Sequence, residues 1–202
     1  MTPASGGTRD RVLTVPNALS VVRLILVPVF VYLLLATDRY GSAYAWAVAI
    51  LMFSGFSDWL DGKIARTFDH QSSKLGELLD PAVDRLYMVV VPISFGLAGI
   101  IPWWVITILI VRDGLLAAML PVLRSRGLSA LPVTYIGKAA TFALMSAFPL
   151  ILLGEWDVLW SRVIGACGWG FLIWGVGMYV WAFVLYVVQL VLVVRRLPKV
   201  GR

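Results

Sequence analysis

The stretch that decides the fold reads DWLDGKIARTFDHQSSKLGELLDPAVD and runs from Asp58 to Asp84, between two apolar segments. Six of the eleven acidic residues of the chain lie within it. Asp58 and Asp61 are three residues apart, and Asp80 and Asp84 are four apart, so each pair is expected on one face of a helix. The polar residues between the pairs are predicted to form a hairpin that brings the two pairs together.

The composition around this stretch indicates a membrane protein. Hydrophobic residues make up 60% of the 202 residues and charged residues 14%, and the mean hydropathy is +0.90. These values lie outside the range of ordinary soluble domains. The apolar content is spread along the whole chain, so we predict one domain over residues 16–202, preceded by a short polar segment, 1–15.

Six segments are apolar enough to cross a bilayer, for which about 20 residues are needed. They are residues 19–36, 43–59, 78–98, 103–123, 139–153 and 163–194. The first segment is too long for the core of a signal peptide and is followed by no small-residue cleavage site, so it is expected to stay. We predict an all-α, polytopic membrane protein with six transmembrane helices.

Two of the predicted spans have unusual lengths. The fifth is short unless it begins near Val133. The sixth would measure about 48 Å, so it should tilt, break near Gly175 and Gly177, or extend beyond the bilayer. Its glycines predict close helix packing, either within one chain or between two copies.

The basic residues predict the orientation of the helices. One side of the predicted membrane carries only Arg39 and Arg162 in its loops, together with interfacial tryptophans. The other side, predicted to be cytoplasmic and to hold both termini, carries Arg9, Arg11, Lys63, Arg66, Lys74, Arg124, Arg126, Lys138, Arg195, Arg196, Lys199 and Arg202. Because these residues occur singly between apolar runs, the net charge of +6 favours anionic lipid over nucleic acid as the partner.

Four carboxylates that converge at a membrane surface require cations. Two unit charges 4 Å apart repel by about 4 kcal/mol at an effective dielectric constant of 20. Ligands that are all oxygen suit Mg²⁺ or Mn²⁺. Carboxylates from both pairs could share two ions about 3.5 to 4 Å apart, a spacing used in phosphoryl-type displacement.

Small residues and one arginine accompany the aspartates. Gly62, Ala65 and Gly76 would let a flat ring or a pyrophosphate approach the backbone. Arg66 offers a planar, permanently charged group that suits phosphate. Together these residues predict a site for a nucleotide diphosphate.

The complete pattern resembles the signature of the CDP-alcohol phosphatidyltransferase family. All eight signature positions are present, namely Asp58, Asp61, Gly62, Ala65, Arg66, Gly76, Asp80 and Asp84. The resemblance implies a six-helix membrane fold, usually dimeric, with a polar cavity open to the cytoplasm.

The resemblance also implies a role for each signature residue. Asp58, Asp61 and Asp80 would hold metal and the CDP diphosphate, and Asp84 would bind the second metal ion and act as the general base. Gly62, Ala65 and Gly76 would line the cytidine pocket, and Arg66 would also contact CDP. An acceptor hydroxyl would attack the phosphorus that bears diacylglycerol and release CMP.

The likeness extends over most of the chain. Residues 15–20, 80–87 and 135–142 resemble the branch that contains phosphatidylglycerophosphate synthases and eukaryotic-type cardiolipin synthases. The expected substrates are therefore CDP-diacylglycerol and a glycerol-bearing acceptor, with phosphatidylglycerol favoured. The alternative acceptor is glycerol 3-phosphate, whose dianionic phosphate should require more basic contacts.

Three basic residues are candidates for the acceptor contacts. Arg112 lies in the middle of the fourth segment, where a charge is costly unless it faces a cavity or a partner, and its neighbour Asp113 could merely neutralise it. Lys138 and Arg23 lie near helix ends, where contact with a phosphate and snorkelling to lipid headgroups are both open. His70 is interpreted as a solvated loop residue.

Two other classes of membrane protein remain open at this point. An intramembrane prenyltransferase also pairs aspartate motifs with Mg²⁺, but it would not require the small residues and the arginine at these spacings. A channel or transporter would need ionisable residues spread through the bilayer midplane, where the sequence places only Arg112 and Asp113.

Overall fold

The computed structural model describes the backbone of residues 15–36, 42–67, 74–126 and 135–196. Side chains are described for residues 18–36, 43–57, 82–126 and 135–195. The described residues form helices and no strand, which confirms the all-α prediction. The helices are α1 Val15–Ala36, α2 Ser42–Thr67, α3 Lys74–Leu97, α4 Trp103–Arg124, α5 Tyr135–Leu153 and α6 Leu159–Arg196.

Four helices are long and apolar enough to cross a membrane. They are α1, over Ala18–Ala36, together with α4, α5 and the part Leu159–Arg195 of α6. In α2 the stretch Ala43–Ser57 is apolar but shorter. The side chains of residues 58–81 lie outside the described part of α2 and α3, so the crossings predicted for these two helices stay predictions.

The chain divides into two compact units, residues 1–94 and 95–202. In the first unit α1 packs against α2. The buried residues of α1 recur every three or four positions, which is the period of one helix face, and they are Ser20, Arg23, Val27, Phe30 and Leu34. The matching buried face of α2 includes Tyr44, Ala47, Val48, Leu51, Ser54 and Ser57.

In the second unit α6 packs against α5 and also contacts α4. The buried face of α6 alternates steps of four and three residues, the spacing of left-handed coiled-coil packing. It consists of Ser161, Gly165, Gly168, Leu172, Gly175, Tyr179 and Ala182. The buried residues of α5 mix small and large side chains, namely Ala140, Ala143, Leu144, Ala147, Phe148, Ile151 and Leu152.

The glycines of α6 show why this packing is close. A Cβ atom on Gly168 would lie 2.6 Å from the backbone nitrogen of Ile151, and one on Gly165 would lie 2.9 Å from the Cα of Gly154. A Cβ atom on Gly170 or Gly177 would meet no atom within 4 Å. The first two glycines therefore serve packing within the chain, one of the two alternatives that the sequence left open.

The helix bounds bear on both spans of unusual length. Helix α5 begins at Tyr135, close to the position that a full crossing required. Helix α6 is continuous over 38 residues, about 57 Å, with no break at Gly175 or Gly177. Tilting or extension beyond the bilayer therefore remains for α6.

The turn between α3 and α4 uses a glycine to end the helix. Gly99 has a φ of 71°, a conformation that glycine adopts without a steric penalty. Its N–H donates to the carbonyl of Gly96, and the N–H of Ile100 donates to the carbonyl of Phe95. This is a Schellman motif, and Pro102 then caps the start of α4.

Candidate active site

The four signature aspartates lie on two helices. Asp58 and Asp61 belong to the C-terminal part of α2, and Asp80 and Asp84 belong to the N-terminal half of α3. Of the four side chains, only that of Asp84 is among those described. The backbone positions of the aspartates and the contacts beside them therefore define what is described of the site.

A hydrogen bond between Ser54 and Tyr87 joins α2 to α3. The two hydroxyl oxygens are 2.8 Å apart, and Ser54 is buried. Thirteen residues follow Ser54 in α2, and thirteen precede Tyr87 in α3, because the helices end at Thr67 and begin at Lys74. Each of these helical arms measures about 20 Å.

The length of the connection determines the relative direction of α2 and α3. If the helices ran parallel from the Ser54–Tyr87 contact, Thr67 and Lys74 would be about 40 Å apart. The seven chain steps between these residues reach at most about 25 Å. The two helices therefore run in opposite directions, as the helices of a hairpin do.

On α2 the first aspartate pair follows Ser54 on the same helix face. At 100° and 1.5 Å per residue, Asp58 lies about 40° around the helix and about 6 Å along it from Ser54. Asp61 lies about 20° to the other side and about 10 Å along. Both positions therefore lie on the side of α2 that carries the buried residue Ser54.

On α3 the second pair precedes Tyr87 in the mirror arrangement. Asp84 lies about 60° around and about 4.5 Å along the helix from Tyr87, and Asp80 lies about 20° around and about 10 Å along. In an antiparallel hairpin, Asp84 is therefore level with Asp58 and Asp80 is level with Asp61. This register supports the predicted convergence of the two pairs, one and two turns beyond the hydroxyl contact.

Arg23 of α1 reaches the last of these aspartates. Its Nη1 donates to Oδ1 of Asp84 at 3.1 Å, and the arginine side chain is 4% exposed while that of Asp84 is 47% exposed. The carboxylate thus contacts a buried cation and is also partly exposed to solvent. Arg23 was predicted as an acceptor contact, and the structure places it beside the proposed general base.

The same residue also meets Tyr87 through its backbone. The Tyr87 hydroxyl donates to the carbonyl oxygen of Arg23 at 3.1 Å. Helices α1, α2 and α3 are therefore connected through three polar residues, Arg23, Ser54 and Tyr87. The signature contains none of them, although Ser54 carries a sequence signal because it lies one turn before Asp58.

The nucleotide residues of the signature lie on the same two helices. Gly62, Ala65 and Arg66 belong to α2, and Gly76 belongs to α3. Their side-chain surroundings lie outside the described part, as does all of His70. Their roles in binding CDP stay predictions.

A second polar cluster lies in the other unit, between α4 and α6. Nη1 of Arg112 donates to Oδ1 of Asp113 at 2.8 Å, and the hydroxyl of Tyr179 donates to the same oxygen at 2.6 Å. The guanidinium carbon of Arg112 lies 3.8 Å from the centroid of the Tyr179 ring. Tyr179 was not singled out from the sequence, since a tyrosine in an apolar helix gives no sign of its partner.

This cluster shows how α4 tolerates a charge among apolar residues. Asp113 neutralises Arg112, and the ring of Tyr179 adds a cation–π contact. Nε of Arg112 is buried and has no hydrogen-bond partner among the described residues. The ion pair is therefore present, and contact of Arg112 with the acceptor stays a prediction.

Lys138 lies in the first turn of α5 and is exposed. Its Nζ is 5.8 Å from the ring centroid of Tyr135, which is itself 89% exposed. The position is compatible with an acceptor phosphate and with a lipid headgroup, the same two alternatives that the sequence left open.

The donor set fits a hard divalent cation. A carboxylate has about four lone-pair sites on its two oxygens, so Asp84 can accept Arg23 and still serve as an oxygen ligand. Among the described side chains, no three His, Cys, Asp or Glu residues are close enough to hold a metal ion. Three of the four predicted ligands lie outside that set, so the two-metal site stays a prediction.

The chain is similar to known proteins over most of its length. The family model described as CDP-alcohol phosphatidyltransferase matches residues 13–192. A Mycobacterium tuberculosis protein provisionally named as a cardiolipin synthase is 65% identical over 193 residues, 96% of this chain and 90% of that protein. The cardiolipin synthase (CMP-forming) of Streptomyces coelicolor is 45% identical over 167 residues, 82% of this chain and 77% of its own.

A relative with a different name is also similar. A second Mycobacterium tuberculosis protein, provisionally named as a phosphatidylglycerophosphate synthase, is 32% identical over 149 residues, 72% of this chain and 68% of that protein. The family match crosses both compact units and includes all eight signature positions. The chain belongs to the CDP-alcohol phosphatidyltransferase family.

Proposed function

We propose that this transferase is a cardiolipin synthase, which joins CDP-diacylglycerol to phosphatidylglycerol and releases CMP. The observation that carries the choice of acceptor is the 65% and 45% identity to relatives with that name, over 96% and 82% of this chain. Membership of the family sets aside the prenyltransferase and transporter alternatives.

The residues of the chain suggest how the reaction proceeds. A headgroup hydroxyl of phosphatidylglycerol approaches the phosphorus that bears diacylglycerol, and Asp84 takes its proton. The hydroxyl oxygen bonds to phosphorus, the bond from phosphorus to the CMP oxygen breaks, and CMP leaves. The half-exposed position of Asp84 supports this role, because a base must be reachable by substrate.

The positions of the other aspartates suit binding of the diphosphate. Asp58, Asp61 and Asp80 would hold two Mg²⁺ or Mn²⁺ ions together with Asp84. Bound there, the ions would neutralise the phosphates and lower the pKa of the acceptor hydroxyl. Gly62, Ala65, Arg66 and Gly76 would receive the cytidine and the diphosphate.

Arg23 supports the same mechanism from α1. A buried guanidinium beside Asp84 balances the charge of the carboxylate when the site is not loaded, so that the aspartates can lie close together. Arg112 and Lys138 are the remaining acceptor contacts in the proposal. Arg112 is the better supported of the two, because a buried arginine Nε without a partner can still donate to a phosphate oxygen.

The proposal places the enzyme in the plasma membrane with six crossings, and with both termini and the site on the cytoplasmic side. The ends of the helices in the second unit support this arrangement. Trp103 and Trp104 lie at the start of α4 and Trp160 at the start of α6, all exposed, while Arg124 and Arg195 lie at the opposite ends of these helices. A homodimer, usual in the family, completes the proposal.

The second candidate function is phosphatidylglycerophosphate synthesis, favoured by the 32% identity to the relative with that name. Purified protein incubated with CDP-diacylglycerol, Mn²⁺ and either labelled phosphatidylglycerol or labelled glycerol 3-phosphate distinguishes the two. We expect labelled cardiolipin and stoichiometric CMP from phosphatidylglycerol. Product from glycerol 3-phosphate alone would reject the cardiolipin synthase proposal.

A further inference from the structure

We propose that Tyr87 is a positioning residue whose hydroxyl sets the register of α2 against α3 and thereby brings the two aspartate pairs to one level. This inference rests on the proposed metal site, since the register matters only if the two pairs share ions. Tyr87 would touch neither substrate nor metal and would act through the helices that carry the aspartates.

The direction of the hydrogen bonds follows from proton counting. A tyrosine hydroxyl has one hydrogen, and that of Tyr87 goes to the carbonyl oxygen of Arg23 at 3.1 Å. At the 2.8 Å contact with Ser54, the serine must then be the donor. The result is a chain from Ser54 through Tyr87 to Arg23 that crosses from α2 through α3 to α1.

Burial makes this chain of hydrogen bonds specific. Ser54 is 5% exposed and Arg23 is 3% exposed, so water cannot readily replace a partner that is removed. Leu51 is buried one turn before Ser54, and Val83 and Val91 are buried one turn on either side of Tyr87. Contacts between such apolar side chains are non-directional and would tolerate sliding, whereas the hydrogen bond between Ser54 and Tyr87 requires one register.

Arg23 fixes the same turn of α3 at a second point. Its carbonyl accepts the Tyr87 hydroxyl, and its guanidinium donates to Asp84, three residues earlier on α3. Positions three apart lie on one helix face. Arg23 of α1 thus holds the turn of α3 that carries Asp84. Tyr87 connects the same turn of α3 to α2.

The size of the effect follows from helix geometry. A slip of one turn displaces α3 by about 5.4 Å along α2. Ions about 3.5 to 4 Å apart could not then be shared by both aspartate pairs. Even a fraction of this displacement would weaken metal binding while leaving every carboxylate in place.

The test compares metal binding with turnover in Tyr87→Phe, using the purified full-length protein in detergent. Mn²⁺ binding without lipid substrate is measured from the loss of the free Mn²⁺ paramagnetic resonance signal. We expect Mn²⁺ affinity to fall about tenfold, as for other residues that orient metal ligands. The Mn²⁺ concentration for half-maximal turnover should rise by a similar factor, while turnover at saturating Mn²⁺ stays near that of the unaltered protein.

Two matched controls isolate the hydroxyl. Tyr32→Phe removes a hydroxyl from an exposed residue of α1, and Ser146→Ala removes one that bonds only within α5, to Phe142. Both variants should bind Mn²⁺ normally. Ser54→Ala should reproduce part of the loss seen in Tyr87→Phe, which also removes the hydrogen bond to the Arg23 carbonyl. The double variant should lose little more than Tyr87→Phe alone, because both changes break the contact between Ser54 and Tyr87.

The outcomes separate the inference from the proposed function. Unchanged Mn²⁺ affinity in Tyr87→Phe, or fully additive losses in the double variant, would overturn the positioning role even if the protein makes cardiolipin. Should Tyr87→Phe fail to fold, Ser54→Ala decides by the same measurement. Weakened Mn²⁺ binding in a protein that makes no cardiolipin would support the positioning role and reject the function.

Discussion

Arg23 and Asp84 are 61 residues apart in the chain, and their side chains form an ion pair of 3.1 Å between α1 and α3. The arginine is buried and the aspartate is half exposed. The carboxylate that we propose as the general base therefore pairs with a buried cation and is still partly exposed to solvent. Its partner is a residue outside the signature.

Asp84→Asn should abolish turnover with the protein still folded. The change keeps the shape of the side chain and removes the charge that binds metal and accepts the proton. Release of CMP from CDP-diacylglycerol measures activity, and gel filtration in detergent checks folding. Asp69→Asn, in the same acidic stretch but outside the signature, is the control and should stay active; normal activity in Asp84→Asn would contradict the mechanism.

Arg23→Ala should destabilise the protein by about 2 kcal/mol. This value is below the usual cost of breaking a buried pair, because solvent partly screens Asp84. Thermal unfolding in detergent measures the effect.

The matched control for Arg23→Ala is Arg162→Ala, which breaks an ion pair of 2.7 Å with Asp157 whose side chains are 71% and 79% exposed. That exposed pair should contribute less than about 1 kcal/mol. Equal losses in the two variants would show that burial of Arg23 does not matter.

Arg112→Ala should raise the KM for phosphatidylglycerol about tenfold, the loss expected when one charged hydrogen bond is removed. The KM for CDP-diacylglycerol should change little. Initial rates at varied concentrations of each substrate measure the two constants. Arg124→Ala, at the exposed end of the same helix, is the control; equal changes in both KM values would indicate a structural role for Arg112.

Gly168→Ala should weaken the packing of α6 on α5 and so destabilise the protein, because the added Cβ would lie 2.6 Å from the backbone nitrogen of Ile151. A loss of about 2 kcal/mol is expected for such overpacking. Gly170→Ala adds the same methyl group where no atom lies within 4 Å, and it should be neutral or slightly stabilising because alanine favours helix. Thermal unfolding of the two variants side by side checks the difference, and a stable Gly168→Ala protein would contradict the close packing.

Removal of divalent cations should stop turnover reversibly. A chelator in excess should abolish CMP release, and added Mn²⁺ or Mg²⁺ should restore it, since the predicted ligands are all oxygen. Restoration by Zn²⁺ alone would contradict the predicted ligand set.

The sequence predicted much of the fold because helices and membrane spans are local properties. Apolar runs of sufficient length and carboxylates three or four residues apart can be read without knowing which helices meet. The polar contacts were not predictable in this way. Ser54 and Tyr87 pair across 33 residues, and Tyr179 and Asp113 pair across 66. The local sequence around each of these residues does not indicate which residue it contacts.

By itself, the sequence determined the helical class and the signature, since these depend on the order of residues along single helices. Only the tertiary structure decided which polar residues outside the signature become partners: the buried arginine beside Asp84, the contact between Ser54 and Tyr87, and, in the other unit, the tyrosine ring beside Arg112. The physical reason is that a hydroxyl or a charge among apolar residues must find a partner, and the packing of the helices selects which one.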